Sequence, residues 1–344
     1  MYRPTALLLI VSLLLGLLLA GCAPAAQPTP SPTVAATLAP AATPQLATAA
    51  PALATATPTS ATPAEPPTIT VVDDLDRTVT VALPAQRIVS LAPNLTETLF
   101  AVGAGDQVVG VTMFCDYPEA ALTRTQVGGF TSDTISIEQI VALDPDLVLA
   151  TGGFQLETIQ ALEPLGIPVI ALDPNSLDTV MAMIELLGQL TGHDAEAAAV
   201  VADMTQRMAV VTGIAAGIPA EERLTVYWQI WDEPLMSAGP KAFPGQLIDL
   251  AGGSNVFADS GEFYPMVSAE EVVSRNPQVI MGPNSHGDRL TIETFQQRPG
   301  WTEIEAVVNG RIHVVDDNII SRAGPRLVDA LEDIAQALYP ELYQ

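Results

Sequence analysis

Positive charge is what this chain has least of. Thirteen Lys and Arg face 39 Asp and Glu, a formal charge of −26 at pH 7, and Lys241 is the one lysine. A phosphate backbone is held by a basic surface, so this balance argues against nucleic acid as a partner. Cysteine is nearly absent: Cys22 and Cys115 are the only two. Because Cys22 falls in the leader segment, no disulfide is expected in the folded region, and Cys115 reads as a partly buried spectator. After the leader, no stretch reaches the roughly 18 consecutive apolar residues of a spanning helix. The signatures of nucleotide and ester chemistry are missing as well. There is no Gly-x-x-x-x-Gly-Lys-Ser/Thr phosphate loop and no Gly-x-Ser-x-Gly elbow, and His193, His286 and His313 are too scattered for a His-x-x-x-His metal pattern. Neither ATP hydrolysis nor a serine-hydrolase reaction is therefore expected of this chain.

What is present begins with a leader. Arg3 precedes an apolar run over residues 6–19 that closes on Leu19-Ala20-Gly21-Cys22. The run is too short to cross a hydrocarbon core of about 30 Å and lies where a secretory apolar region belongs. Residues 1–22 are expected to be a signal peptide. Its end resembles a bacterial lipobox, which makes Cys22 the expected lipidation site; a plain secretory cleavage nearby is the alternative. Residues 23–67 are almost entirely Ala, Thr, Pro and Ser, and Glu65 is their only charge. With too few large side chains for a core, this segment is expected to be a disordered linker reaching on the order of 40 Å.

From residue 68 onward short β-branched runs alternate with helical patterns, the signature of an α/β fold with parallel sheets covered by helices. Strands are expected over residues 87–91, 108–112, 146–150, 168–172, 224–229, 279–281 and 312–315, with a terminal helix starting near Pro325. Residues 194–212 contain neither Gly nor Pro, and Ala197, Val200, Val201, Met204, Met208 and Val211 recur at helical spacing. This predicts one long helix. The segments on either side of it resemble each other. Leu99-Phe-Ala-Val-Gly-Ala-Gly-Asp-Gln-Val108 parallels Leu247-Ile-Asp-Leu-Ala-Gly-Gly-Ser-Asn-Val256, and Ser136-Ile-Glu138 parallels Ser268-Ala-Glu270. The expected organisation is two Rossmann-like lobes, residues 68–193 and 218–344, joined by a helix over residues 194–217, with a ligand cleft between them. Thirty-seven positions separate Leu99 from Ser136 but only twenty-one separate Leu247 from Ser268. The first lobe thus carries extra loop around residues 114–130, where binding surface is commonly added.

Several motifs then fall in order: Arg87-Ile-Val-Ser-Leu-Ala-Pro-Asn-Leu-Thr-Glu-Thr-Leu-Phe-Ala-Val-Gly, Asp116-Tyr-Pro, Ser136-Ile-Glu-Gln-Ile-Val-Ala-Leu-Asp-Pro-Asp-Leu-Val and Arg322-Ala-Gly-Pro-Arg326. Together they resemble the helical-backbone (class III) solute-binding proteins of metal-chelate ABC importers, nearest to the members that bind cobalamin. The resemblance runs over residues 69–342. It implies an extracytoplasmic monomer that has no catalytic activity or resident cofactor, and the lipobox-like end of the leader adds the expectation that it is lipid-anchored to the cell membrane. Such a protein delivers a chelate, here a cobalt corrinoid, to a permease dimer with its ATPase subunits; iron-siderophore and haem binders share the scaffold. Two departures stand out. The first cysteine of a disulfide in the cobalamin binders would fall at Ala251, and Asn318-Ile-Ile-Ser-Arg322 lacks the aromatic pair of their cleft loop.

The resemblance places Phe114, Phe130 and Tyr264 where those relatives have Tyr, Trp and Trp against the corrin, and it places Asn318, Ile319, Ile320, Ser321 and Arg322 in the cleft loop. Trp231 joins the expected lining because alternation within its strand points it away from Trp228. A flat macrocycle is held by aromatic faces and apolar edges, although each of these rings could instead belong to the core. Arg322 either contacts the ligand or fixes its loop through Asp316 or Asp317. His286 follows a strand and is a candidate axial contact to a chelated metal, whereas His313 alternates within a strand and is expected in the core. Asn94-Leu-Thr96 fits a glycosylation acceptor, but a helix cap suits it better. Ser136 and Ser268 read as N-caps, which puts Glu138 and Glu270 in first turns favoured by the helix dipole. The resemblance also makes these two carboxylates the contacts to the two permease subunits. Binding of a cobalamin-type corrinoid is the leading expectation, binding of a siderophore or haem the second. An extracytoplasmic enzyme using the cleft is the remote alternative, since the loops offer mainly aromatics and amides.

Overall fold

The computed structural model describes residues 66–343. The leader, Cys22 and the linker up to residue 65 lie outside the described residues, as does the side chain of His286. An element absent from the parallel-sheet expectation opens the domain: β1 (Thr68–Val72) and β2 (Thr78–Ala82) pair antiparallel as a hairpin. Its turn is organised by the buried Asp73, whose carboxylate accepts from Leu75 N at 3.1 Å and Arg77 N at 3.0 Å. The same carboxylate accepts from Ala171 N at 3.1 Å, which fastens the hairpin to the first lobe.

That lobe contains β3 (Ile88–Ser90), α1 (Pro93–Ala101), β4 (Val108–Val111), β5 (Thr125–Gln126), α2 (Ile137–Ala142), β6 (Leu147–Ala150), α3 (Gly152–Leu162) and β7 (Val169–Ala171). The strands form one parallel sheet in the order β5-β4-β3-β6-β7. β3, β6 and β7 are buried at every position, as continuous apolar runs must be when helices cover both faces. Next comes α4 (Leu177–Thr191), started by the Ser176–Thr179 capping box and ended by Gly192 in the left-handed region, φ 78°. The chain turns there into α5 (Asp194–Ala215), 22 residues or about 33 Å long. A Cβ on Gly188 would fall 2.4 Å from that of Ala197, so glycine is what lets α4 and α5 touch.

The second lobe repeats the plan with β8 (Thr225–Trp231), β9 (Met236–Ser237), α6 (Phe243–Leu250), β10 (Ser254–Asn255), α7 (Ala269–Arg275), β11 (Val279–Pro283), α8 (Ile292–Gln296), α9 (Glu305–Val308), β12 (Ile312–Val315), α10 (Asp317–Ile320) and α11 (Leu327–Leu338). Its parallel order is β10-β8-β11-β12, and β9 is an unforeseen antiparallel addition to β8. In each sheet the strand order reverses around the first strand formed, β3 or β8, and crevices open at the carboxyl ends of such strands. One apolar core runs through both lobes. Ala197, Met204 and Val211, seven residues apart on α5, pack in the same cluster as Leu99 and Leu187 of the first lobe and Leu247 and Leu331 of the second. Arg207 of α5 also bonds Glu332 at 2.9 Å and Asp329 at 2.6 Å on α11.

Candidate ligand cleft

The loops that leave the carboxyl ends of the two sheets carry most of the expected lining. Phe114 follows β4 and is half-exposed. With Met113, Gln126, Phe130 and Thr134 it surrounds a hollow of about 490 Å³ in the extra loop of the first lobe. Phe130 is half-buried, its ring 5.4 Å from that of Phe154 and tilted by 51°. Gln155, fully buried, organises this end of the sheet: its side chain accepts from Thr151 N at 2.9 Å and donates to Leu91 O at 2.8 Å and Phe130 O at 2.9 Å. One amide thereby joins the loops after β3, β5 and β6. Phe154, 65 % exposed at the start of α3, had no recognisable signal in the sequence beyond following a strand.

On the opposite lobe, Trp231 ends β8 with 46 % exposure while Trp228 is fully buried, as alternation requires. The Trp231 indole donates to Glu233 O at 2.9 Å. Behind it, Arg298 bonds Gln229 at 2.8 Å and pairs with Asp232, with its guanidinium 4.5 Å from the centre of the Trp301 ring. Tyr264 and its neighbour Phe263 are both exposed on the loop after β10.

The segment 318–322 differs from the expected cleft loop. Asn318, Ile319 and Ile320 belong to the short helix α10, capped by Asp316, and Ser321 Oγ donates to Asp317 at 2.5 Å. Ile320 is corrected as a ligand contact: it is 3 % exposed and packs in the core, and Ile319 packs partly against the same cluster. Arg322 reaches neither Asp316 nor Asp317. It crosses to the first lobe, where it bonds Glu97 at 2.8 Å and Asp116 at 2.6 Å, and its other nitrogen donates to Asn318 Oδ1 at 2.7 Å. Arg326 grips the same Glu97 through Nε at 2.8 Å and Nη2 at 2.7 Å, and its guanidinium lies 3.9 Å from the centre of the Tyr117 ring. Asn94 is not the cap of α1, a place taken by Ala92. Its amide instead donates to Ala323 O at 3.2 Å, a third contact between the lobes. The Glu97 side chain is 3 % exposed, so this carboxylate is buried between two cations of the opposite lobe.

The sequence offered one unused signal for Glu97. It stands between Leu95 and Leu99 on the buried side of α1, where a carboxylate needs a partner, and at the matching position of the repeat the second lobe has Gly245. Other polar groups take minor places. Cys115 is buried, with its sulfur 3.2 Å from Thr112 Oγ1, and burial pushes the thiol pKa up. His313 is half-buried rather than core, lining a surface hollow with Arg311 and Tyr339. Among the described residues no group of three His, Cys, Asp or Glu side chains could hold a metal ion.

Comparison with known proteins agrees with this architecture. The family model described as periplasmic binding protein matches residues 88–319. The uncharacterized ABC transporter substrate-binding lipoprotein YvrC of Bacillus subtilis is 30 % identical over 281 residues, covering 80 % of this chain and 87 % of that protein. Among solved structures, the periplasmic vitamin B12 binding protein BtuF of Vibrio cholerae superposes with a TM-score of 0.65 at 30 % identity, covering 76 % of this chain and 99 % of its own. The periplasmic heme-binding protein RhuT of Roseiflexus sp. RS-1 gives a TM-score of 0.65 at 28 % identity, over 75 % of this chain and 99 % of its own.

The pairing between lobes has a pH signature. The hydrogen bond from Arg322 is the leading reason that the Asp116 carboxyl sits below its ordinary value of 3.8, outweighing the opposing effect of burial. A depressed carboxylate contributes stability that is complete above its unfolded pKa and is lost as pH falls through the folded one. Wild type is therefore expected to exceed Asp116→Asn in urea-unfolding stability at pH 7, with the difference vanishing only below about pH 3.8. A difference that stays constant down to pH 2 would show that Asp116 is not paired.

Proposed function

The chain belongs to the periplasmic binding protein family, and from that premise we propose that it is the lipid-anchored, extracytoplasmic substrate-binding component of an ABC importer that captures a cobalamin-type corrinoid. The observation that carries this reading is the exposure of Phe114 and Tyr264 in loops, and of Trp231 at the last position of β8, at the carboxyl ends of both sheets, while the junction between the lobes is satisfied by its own ion pairs. Large apolar rings left in water on facing lobes suit the two faces of a flat macrocycle, with amide and hydroxyl groups of Asn318 and Ser321 at its edge. The likeness to a vitamin B12 binding protein supports the corrinoid. Haem or an iron chelate is the second reading, favoured by the equal TM-score of a heme-binding neighbour. The role is capture and delivery, with ATP hydrolysis left to the permease complex.

Calorimetric titration of the domain from residue 68 onward with cyanocobalamin, haemin and a ferric siderophore tests the ligand. Cyanocobalamin is expected to bind most tightly, and Phe114→Ala, Phe130→Ala and Tyr264→Ala are each expected to weaken it by about 1–3 kcal/mol through lost burial. Tighter binding of haemin would transfer the proposal to haem, and unchanged affinity in all three variants would return these rings to a structural role.

Glu138 and Glu270 are proposed as the permease contacts. Both are exposed in the first turns of α2 and α7, behind the N-caps Ser136 and Ser268, which accept from Gln139 N at 3.2 Å and Glu271 N at 3.1 Å. The Ser268 capping box is completed by Glu271, so Glu270 is not needed for it. One exposed carboxylate per lobe suits a permease built of two subunits, where charge pairs guide docking and set orientation more than they add affinity. The double variant Glu138→Ala with Glu270→Ala is expected to keep ligand affinity while losing ligand-stimulated ATP hydrolysis by the reconstituted permease. Normal stimulation would leave only the helix-dipole role for these residues.

Anchoring at Cys22 completes the proposal, supported by the Leu19-Ala20-Gly21-Cys22 sequence and by a relative named a lipoprotein. A single acyl chain holds a protein to a membrane only marginally, so several chains on that residue are expected. Mass spectrometry of the mature N-terminus should find a lipidated Cys22 as the first residue; an unmodified start elsewhere would refute the anchor.

A further inference from the structure

Five basic side chains stand on the loops and helix ends beyond the carboxyl ends of the second sheet: Lys241, Arg289, Arg298, Arg322 and Arg326. Four of them have carboxylate partners. Arg298 and Arg289 share Asp232, the latter at 3.6 Å, while Arg322 and Arg326 share Glu97, with Asp116 as a further partner of Arg322. Lys241 is different. Its ammonium donates to the carbonyl of Gly261 at 3.0 Å, and among the described residues it forms no ion pair with a carboxylate. An ammonium has three donors, so two remain for a further acceptor.

Its surroundings put that spare capacity at the cleft. Gln246 Nε2 donates to Lys241 O and to Asn175 O, both at 2.8 Å, and Asn175 belongs to the first-lobe loop after β7. The main chain of Lys241 therefore sits at the junction of the lobes. On its other side, Gly261 leads through the exposed Glu262, which forms no ion pair with Lys241, into Phe263 and Tyr264, and Phe263 O accepts from Gly239 N at 2.8 Å. The ammonium thus lies at the edge of the exposed aromatic patch of the second lobe.

We propose that Lys241 is the anion anchor of the cleft, receiving a negatively charged substituent, carboxylate or phosphodiester, from the periphery of the bound macrocycle. This rests on the reading above that a macrocyclic chelate fills the cleft. An anionic group that sought Arg322 or Arg326 would compete with the buried Glu97 and leave its charge uncompensated, a costly exchange. At Lys241 the same group strands no buried carboxylate and gains a charge-assisted hydrogen bond. The formal charge of −26 repels an anionic ligand at long range, so the cation beside the aromatic patch that, among the described residues, has no carboxylate partner decides which way the ligand's charged edge turns.

Two ligand pairs test this, each differing in its anionic group: cyanocobalamin against dicyanocobinamide, which lacks the phosphodiester, and haemin against its dimethyl ester. Lys241→Gln keeps a donor for Gly261 O but removes the charge. It is expected to weaken the anionic member of the pair that binds by about tenfold, an effect that shrinks as salt rises, while leaving the other member unchanged. Lys241→Arg should restore the loss. The pair that responds identifies the source of the anion. Equal affinity of wild type and Lys241→Gln for the anionic member, or equal loss for both members, overturns the anchor while the macrocycle reading stands. If wild type binds none of the four, the macrocycle reading fails and the anchor falls with it.

Discussion

The arrangement of the two lobes depends on one buried carboxylate. Glu97 stands on α1 at 3 % side-chain exposure, and both of its cations, Arg322 and Arg326, come from the other lobe. An ionised carboxylate loses several kcal/mol of hydration on burial and needs close, well-aligned partners to recover it. Arg326 supplies a two-point contact, and Arg322 extends the pairing to Asp116 on the loop that only the first lobe possesses. Separating the lobes would strand Glu97, so the junction favours a fixed spacing of the cleft over wide opening.

Other contacts act in the same sense. α5 runs between the lobes without Gly or Pro over residues 194–212, and Ala197, Met204 and Val211 feed it into a core common to both. Gln246 reaches Asn175 from α6, and Asn94 reaches Ala323 from α1, so each lobe sends one side-chain amide to a carbonyl of the other. In the pseudo-repeat these two amides belong to the helices that follow the central strands, β3 and β8. The loops above them carry the exposed aromatic rings beside the few contacts, such as Asp116 with Arg322, that hold them in place. This division of labour suits a protein that holds a ligand and hands it on.

The acidity of the chain acts at a different level. Its charge has no bearing on the fold but sets the long-range field met by a ligand or a permease. Within that field local cations matter individually. Arg298 is used to hold the end of β8, and Arg322 and Arg326 are used to hold Glu97. The exposed carboxylates differ in their relation to the caps: Glu138 accepts from Ser136 Oγ at 3.2 Å, whereas Glu270 takes no part in the Ser268–Glu271 capping box.

The sequence by itself determined the features that arise from neighbouring residues. The helical spacing of Ala197, Met204 and Val211 marked α5, and Ser136 and Ser268 announced the starts of α2 and α7. Strand alternation separated the buried Trp228 from the exposed Trp231. The internal likeness of the two halves was legible for the same reason, since each strand and helix is specified by its own short pattern. The β1–β2 hairpin and β9 left weaker traces, because an antiparallel strand of two to five residues differs little in composition from a parallel one. Tertiary structure alone decided the partners. Arg322 lies only six and five positions after Asp316 and Asp317, yet it binds Glu97, 225 positions away, and Asp116. Ile320, read as a loop residue, turned inward because Asp316 caps a helical turn that places it against the core. Spacing along a chain specifies which way a side chain leaves its own strand or helix; which charge it meets is specified by how two separately folded sheets come together around a shared helix.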